Sequence, residues 1–92
     1  MVTEIEGRVV GFIAMAGNEI GGLFLDPAFH GCGLGRAMVD KAVEQRGTLT
    51  VEVFKENTIG RAFYERYGFQ FVEEFAHEAS GQQVIRMMFT PS

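Results

Sequence analysis

Cysteine is almost absent from this sequence, Cys32 being the only one in 92 residues. A lone cysteine excludes an internal disulfide and suits a reducing compartment, so we expect a cytoplasmic protein. No apolar run approaches the ~20 residues of a membrane-spanning helix, and the first residues lack the regions of a signal peptide. We therefore expect no membrane partner. With only His30 and His77 besides Cys32, the chain falls short of a spaced four-ligand zinc site, and no metal is expected.

Basic residues are also few, with 8 Lys and Arg against 12 Asp and Glu and a net charge of −4. A broad basic surface for nucleic acid is therefore not expected. The contents of 47% hydrophobic, 22% charged and 12% aromatic residues exclude a disordered tail and a coiled coil. The length predicts a single domain over residues 1–92.

Hydrophobic periodicity divides the chain into strands and helices. The predicted strands cover residues 2–6, 9–16, 19–25, 49–54, 69–75 and 83–89, and the predicted helices cover 36–46 and the segment between Asn57 and Gly68. In the second helix we expect Ile59, Ala62 and Phe63 to face inward. The order β-β-β-α-β-α-β-β predicts an α+β fold in which helices pack on a mixed, mostly antiparallel sheet.

Three glycines alternate between the third strand and the first helix, at Gly31, Gly33 and Gly35. Glycine allows close approach of the backbone to a ligand, and the first N–H groups of a helix attract anions. The segment therefore predicts a pyrophosphate site, to which Arg36 could add a charge-assisted contact. The Walker pattern and the dinucleotide fingerprint are both absent. A turn that begins a helix and binds no ligand is the alternative.

Two motifs resemble those of a known enzyme family. The first is Leu23-Phe24-Leu25-Asp26-Pro27 followed by His30-x-x-Gly33-x-Gly35, and the second is Asn57-x-x-x-x-Ala62-Phe63-Tyr64-Glu65-Arg66-x-Gly68-Phe69. In this order they resemble the GNAT family of acyl-CoA-dependent N-acetyltransferases, and the resemblance covers roughly residues 2–90. Gly33 and Gly35 match the family's loop signature, whereas His30 departs from it because the family usually has Gln or Arg there.

The resemblance implies that coenzyme A lies between two diverging strands, here residues 19–25 and 49–54, with a bulge at Gly21-Gly22. Its pantetheine arm would pair with the backbone of Leu23, Phe24 and Leu25. Asn57 would hydrogen-bond the same arm, although Asn also suits a plain helix N-cap. The residues implied for the pyrophosphate are His30, Gly31, Cys32, Gly33, Leu34, Gly35 and Arg36.

The resemblance also implies direct transfer of an acetyl group from acetyl-CoA to a primary amine of a small molecule or a peptide. Tyr64 would protonate the departing thiolate, and seven residues of helix would place it on the same face as Asn57. The alternative for Tyr64 is a packed aromatic ring with a wet hydroxyl. Glu19 is the candidate for the base that deprotonates the amine, the alternative being an exposed carboxylate at a strand end.

The resemblance implies a strand and two helices before the position of Val2, which this sequence lacks; a truncated chain, a naturally minimal member and a misplaced start all stay open as explanations. A sheet edge and part of an apolar face would then be exposed, so we expect a homodimer. A second function stays open: a CoA-binding domain of the same family that has no turnover. The sequence does not identify the amine acceptor.

Overall fold

The computed structural model describes residues 2–31 and 33–92. The elements follow the predicted order, with a short 3₁₀ turn over Pro27–Phe29 that the periodicity did not indicate. Their bounds are β1 (Val2–Ile5), β2 (Arg8–Ala16), β3 (Glu19–Leu25), α1 (Leu34–Arg46), β4 (Leu49–Phe54), α2 (Thr58–Tyr67), β5 (Gln70–Ala76) and β6 (Gln83–Phe89). The predicted fold class, an α+β domain with helices packed on a mixed sheet, is confirmed.

The strands form a six-stranded sheet in the order β1-β2-β3-β4-β6-β5. Every neighbouring pair is antiparallel except β3 and β4, which are parallel. These two strands pair only at Glu19 with Thr50 and at Ile20 with Val51. Beyond Ile20 they part, because Gly21 is an extra residue in the β2–β3 ladder, where Ala14 is opposite Gly22 and Met15 is opposite Ile20. Such a bulge bends the strand that contains it.

Both helices cover the same face of the sheet. Alternate strand residues such as Ile13, Val51 and Ile85 meet Val39 of α1 and Tyr64 of α2 in one buried cluster. Burying each large apolar side chain contributes roughly 1.5–3 kcal/mol, so this face holds the layers together. None of the helices in the described parts of the chain is long and apolar enough to cross a membrane.

The opposite face of the sheet has no helix among the described residues. Phe12 and Phe24 lie there, with their rings stacked at 5.6 Å and side by side on β2 and β3. Farther along the same face, Arg86 is ion-paired with Glu52 and Glu73, in each case at 2.6 Å. We call this surface the open face.

Candidate acyl-transfer site

A cavity of about 570 Å³ opens where β3 and β4 part. Its size lies within the range of small-molecule sites. Its walls come from four segments: residues of β3, the glycine loop with the first turn of α1, residues of β4, and α2 with its N-cap. The residues that line it are Ile20, Gly21, Gly22, Leu23, Leu25, His30, Gly31, Gly33, Gly35, Arg36, Val51, Glu52, Val53, Phe54, Asn57, Ile59, Gly60, Phe63, Tyr64 and Arg66.

One wall is the edge of β3 that β4 leaves unpaired. Leu23 and Leu25 line the cavity, whereas the Phe24 side chain points to the open face. Backbone groups of a strand edge can pair with an extended ligand, much as they would with another strand. The edge therefore suits a linear amide-containing arm.

The glycine loop forms the end of the cavity at the N-terminus of α1. Gly31 and Gly33 have φ of 80° and 85°, and a Cβ on either would meet no atom within 4 Å. Gly33 is the N-cap, and within residues 2–31 and 33–92 no side chain bonds the N–H groups of the first turn, which begins at Leu34. These N–H groups and the helix dipole favour an anion. Cys32, also expected in this site, lies outside the described residues.

His30 ties this loop to the end of β3. Its Nε2 lies 3.0 Å from the Leu25 carbonyl oxygen, to which it donates a hydrogen bond. Nearby, Asp26 accepts from the Ala28 N–H at 2.9 Å and from Arg8 Nη2 at 2.8 Å. The bond from Ala28, followed by the Arg8 contact, lowers the pKa of Asp26. These local bonds set where the loop leaves the sheet.

Gly35 lets the two helices approach each other. A Cβ at this position would lie 3.2 Å from Cε1 of Phe63, which is closer than ordinary contact. Gly35 is buried and Phe63 half-buried. The third glycine of the loop therefore serves the packing of α1 against α2 as well as lining the cavity.

Asn57 is placed as a helix cap. Its φ and ψ of −79° and 75° are not helical, and its Oδ1 accepts from the Gly60 N–H at 3.0 Å. The geometry thus matches the N-cap that sequence reasoning left as the alternative. Because the residue also lines the cavity, its amide nitrogen is available to a ligand, and its contact with the cofactor arm stays a prediction.

Tyr64 combines a buried ring with an accessible hydroxyl. The residue is only 5% exposed, and its ring packs edge-on against Phe63 and Phe69, with centroids 5.2 and 5.1 Å apart. No polar side-chain atom among the described residues is both fully buried and unbonded, so the hydroxyl keeps some exposure, and the residue lines the cavity. Burial raises the pKa of Tyr64 to about 12. The phenol therefore keeps its proton at neutral pH and can donate it.

The carboxylate in the cavity wall is Glu52, not Glu19. Glu19 is exposed at the start of β3 and does not line the cavity, so the structure does not bring it to Tyr64. Glu52 points from β4 to the open face, between the inward Val51 and Val53. Both bonds from Arg86 go to its Oε2, which leaves Oε1 for a cationic group. Sequence alternation showed that Glu52 faces away from the core, but not that the strands part beside it.

Two further lining residues were not predicted. Ile59, which the sequence placed inward, is 76% exposed and lies at the cavity mouth. Arg66 lines the cavity together with Arg36, so two cations face it. Among the described residues, no three His, Cys, Asp or Glu side chains form a cluster that could hold a metal ion.

The sequence pattern that defines the acetyltransferase (GNAT) domain matches residues 1–71 of this chain. The peptidyl-lysine N-acetyltransferase YjaB of Escherichia coli (strain K12) is 38% identical over 61 residues, which cover 66% of this chain and 42% of that protein. The uncharacterized N-acetyltransferase MJ1207 of Methanocaldococcus jannaschii is 38% identical over 85 residues, which cover 75% of this chain and 38% of that protein. The chain thus spans about two fifths of the length of these relatives.

Solved structures have the same fold. The solution structure of apo YjaB from Escherichia coli superposes with a TM-score of 0.86 at 27% identity, covering 99% of this chain and 63% of that one. A crystal structure from Bacillus anthracis str. Ames, in complex with acetyl coenzyme A, superposes with a TM-score of 0.88 at 17% identity, covering 99% and 62%. The second likeness concerns the fold alone.

Proposed function

Because this chain belongs to the acetyltransferase (GNAT) family, we propose that it is an acetyl-CoA-dependent N-acetyltransferase. It transfers the acetyl group directly to a primary amine of a small molecule or a peptide. One observation supports this most strongly. A single cavity joins the N-terminus of α1, a strand edge that β4 leaves unpaired and Tyr64. These are the features needed to hold phosphates, hold an amide-containing arm and protonate a leaving group.

The substrate acetyl-CoA suits the cavity in three places. Its pyrophosphate suits the free N–H groups after Gly33 and the nearby Arg36. Its pantetheine arm suits the β3 edge at Leu23–Leu25, where β4 no longer pairs. Positive φ at Gly31 and Gly33, with open space at each Cβ position, leaves room for the phosphates. Zinc or another metal is not needed for this chemistry.

The transfer removes two protons from the nitrogen and supplies one to the sulfur. An amine of pKa ~10.4 arrives as ammonium, and Oε1 of Glu52 accepts the first proton and later releases it to solvent. The neutral nitrogen then forms a bond to the carbonyl carbon of the thioester and loses its second proton to solvent, and the carbon–sulfur bond breaks. Tyr64 gives its proton to the departing thiolate and recovers one from solvent. Glu19 would act only through a chain of water, since it does not line the cavity.

A peptide amine is the favoured acceptor class within this proposal. The relative YjaB, 38% identical over the shared 61 residues, is named for peptidyl-lysine acetylation. The acidic net charge of −4 also attracts a cationic acceptor. A lysine side chain is both a peptide amine and a cation, because it has a primary ammonium on an apolar stem.

The second candidate is a CoA-binding domain without turnover. One observation favours it: the described residues bring one carboxylate to the cavity, and Arg86 already pairs with it. Such a domain would keep the loop and the strand edge but would not deprotonate an amine.

Amine-dependent release of free CoA separates the two candidates. Acetyl-CoA is incubated with the protein and a panel of lysine peptides, polyamines and small amines, and thiol release is followed. The proposed enzyme gives release that saturates with one class of amine and acetylated product in equal amount. Binding of acetyl-CoA with no product from any amine would instead support the domain without turnover.

We also propose that the chain acts in the cytoplasm as a homodimer. A single cysteine suits a reducing compartment. Phe12 and Phe24 are 43% and 47% exposed on the open face, and β1 has an unpaired outer edge in the sheet order. Surfaces of this kind are commonly covered by association.

A further inference from the structure

Arg36, Tyr67 and Asp40 form a small unit that joins the two helices beside the cavity. The Arg36 guanidinium carbon lies 5.5 Å from the centroid of the Tyr67 ring. The Tyr67 hydroxyl donates a hydrogen bond of 2.6 Å to Oδ1 of Asp40. Arg36 and Asp40 are one turn apart on α1, and Tyr67 is the last residue of α2.

The usual partner of Arg36 is occupied. An acidic residue four positions from an arginine on a helix commonly forms an ion pair with it. Here Asp40 is bonded to Tyr67, and no carboxylate of the described residues lies within 4.0 Å of the Arg36 guanidinium. Burial, followed by the Asp40 contact, raises the pKa of Tyr67. The phenol therefore remains a donor to Asp40 at neutral pH.

Contact through the ring face leaves the arginine free to bind an anion. A cation above an aromatic ring is attracted by the face of that ring. The N–H donors of the guanidinium lie in the plane of the guanidinium itself, so this contact does not use them. Those donors have no hydrogen-bond acceptor among the described residues, and Arg36 lines the cavity beside Gly33. An arginine whose N–H donors have no acceptor can donate them to phosphate oxygens.

The ring itself is held firmly. Tyr67 packs against Phe89 with centroids 5.0 Å apart and against Phe69 at 5.7 Å. Phe69 in turn contacts Tyr64. The surface on which Arg36 rests is thus part of the aromatic cluster that also packs the proposed proton donor.

We propose that Tyr67, bonded to Asp40, is a positioning residue that keeps Arg36 free and directed toward the phosphate groups of acetyl-CoA. The proposal rests on the proposed function, since it assumes that acetyl-CoA is the ligand. Under this proposal, Tyr67 affects recognition of the phosphate groups and not recognition of the pantetheine arm. Removing Tyr67 or its hydroxyl allows Asp40 to capture Arg36.

The test compares two ligands by calorimetry: acetyl-CoA, and S-acetylpantetheine, which has no phosphate. Tyr67→Leu removes the ring, and we expect about five- to tenfold weaker binding of acetyl-CoA. Binding of S-acetylpantetheine should change less than twofold. In an Arg36→Ala background, Tyr67→Leu should have no further effect on acetyl-CoA. Equal losses for both ligands, or an undiminished loss in the Arg36→Ala background, would overturn the proposal and leave Tyr67 a packing residue.

A second pair of variants keeps the ring and protects the test against misfolding. Tyr67→Phe frees Asp40, and we expect about threefold weaker binding of acetyl-CoA. Adding Asp40→Ala removes the competing carboxylate and should restore binding to within twofold of the wild type. Failure of this rescue contradicts the proposal even if Tyr67→Leu does not fold. Arg46→Ala, on α1 but outside the cavity lining, is the control and should change neither affinity.

Binding of acetyl-CoA to the wild type separates failure of the proposed role of Tyr67 from failure of the proposed function. If the wild type binds acetyl-CoA and the variants behave otherwise, only the role of Tyr67 is overturned. If the wild type does not bind acetyl-CoA, the proposed function is overturned, and the role of Tyr67 with it.

Discussion

At the scale of single residues, Tyr64 is both a packed aromatic residue and the proposed proton donor. Its ring is buried against Phe63 and Phe69, and the residue lines the cavity. Tyr64→Phe keeps the packing and removes the proton donor. We expect kcat to fall about 100-fold or more, with acetyl-CoA affinity within twofold of the wild type. Steady-state kinetics and calorimetry check this, and an unchanged kcat would show that another group protonates the thiolate.

The raised pKa of Tyr64 also affects stability at high pH. Its folded pKa of about 12 exceeds the reference value of 10.0 because burial disfavours the phenolate. The corresponding stability is present below pH 10 and is lost as pH rises through 12, in total up to about 3 kcal/mol. Urea unfolding from pH 8 to 11.5 should show a smaller decline for Tyr64→Phe than for the wild type. Equal declines in the unfolding free energy of the two proteins would contradict a raised pKa of Tyr64 in the folded state.

Glu52 and Glu19 offer a direct comparison of two carboxylates. Glu52 lines the cavity and Glu19 does not. We expect Glu52→Gln to lower kcat/KM for the amine about 100-fold at neutral pH, with partial recovery at higher pH as the amine loses its proton unaided. Glu19→Gln should have less than twofold effect. The opposite ranking in a pH–rate series would restore Glu19 as the base.

At the scale of elements, the glycine loop depends on backbone conformation as well as on space. Gly33→Ala introduces a side chain at φ 85°, which costs about 1–2 kcal/mol. We expect weaker acetyl-CoA binding because the first turn of α1 shifts. Gly81→Ala, at φ 73° in the β5–β6 connection, is matched in strain and lies outside the cavity lining. It should lower the unfolding free energy similarly, as urea titration would show, and leave binding unchanged.

Local elements were predictable from the sequence because their signals are local. Alternation in 49–54 marks β4 to the residue, and Gly47 ends α1 as expected. The helix bounds differ by two residues at Leu34, where the glycine loop leads directly into the first turn. Ile59 was wrongly placed inward, since a helix that borders a cavity exposes apolar residues that periodicity assigns to a core.

The site was predictable only where family motifs mark it. The glycine loop and Tyr64 were named from sequence, and both line one cavity. Glu52 was not named from the sequence, because its place in the cavity wall depends on where β3 and β4 part. The Tyr67–Asp40 bond joins residues 27 positions apart, and no local pattern indicates such a pair. Tertiary geometry therefore supplied the proposed base Glu52 and the contact of Arg36 with Tyr67.

At the scale of the whole molecule, the open face is a surface that no helix of the described residues covers, and Phe12 and Phe24 are exposed on it. Phe12→Ser together with Phe24→Ser should reduce self-association without changing the buried face. Sedimentation velocity across concentrations should show a dimer for the wild type and a shift toward monomer for the double variant. A monomeric wild type at high concentration would contradict the proposed homodimer.

The proposed function depends on acetyl-CoA occupying the cavity between β3 and β4. Calorimetric titration of the wild type with acetyl-CoA, beside Gly33→Glu, tests this most directly. We expect saturable binding at one site per chain, competed by free CoA and abolished in Gly33→Glu, whose carboxylate would repel phosphate. Absence of binding to the folded wild type, or equal binding to Gly33→Glu, would contradict it.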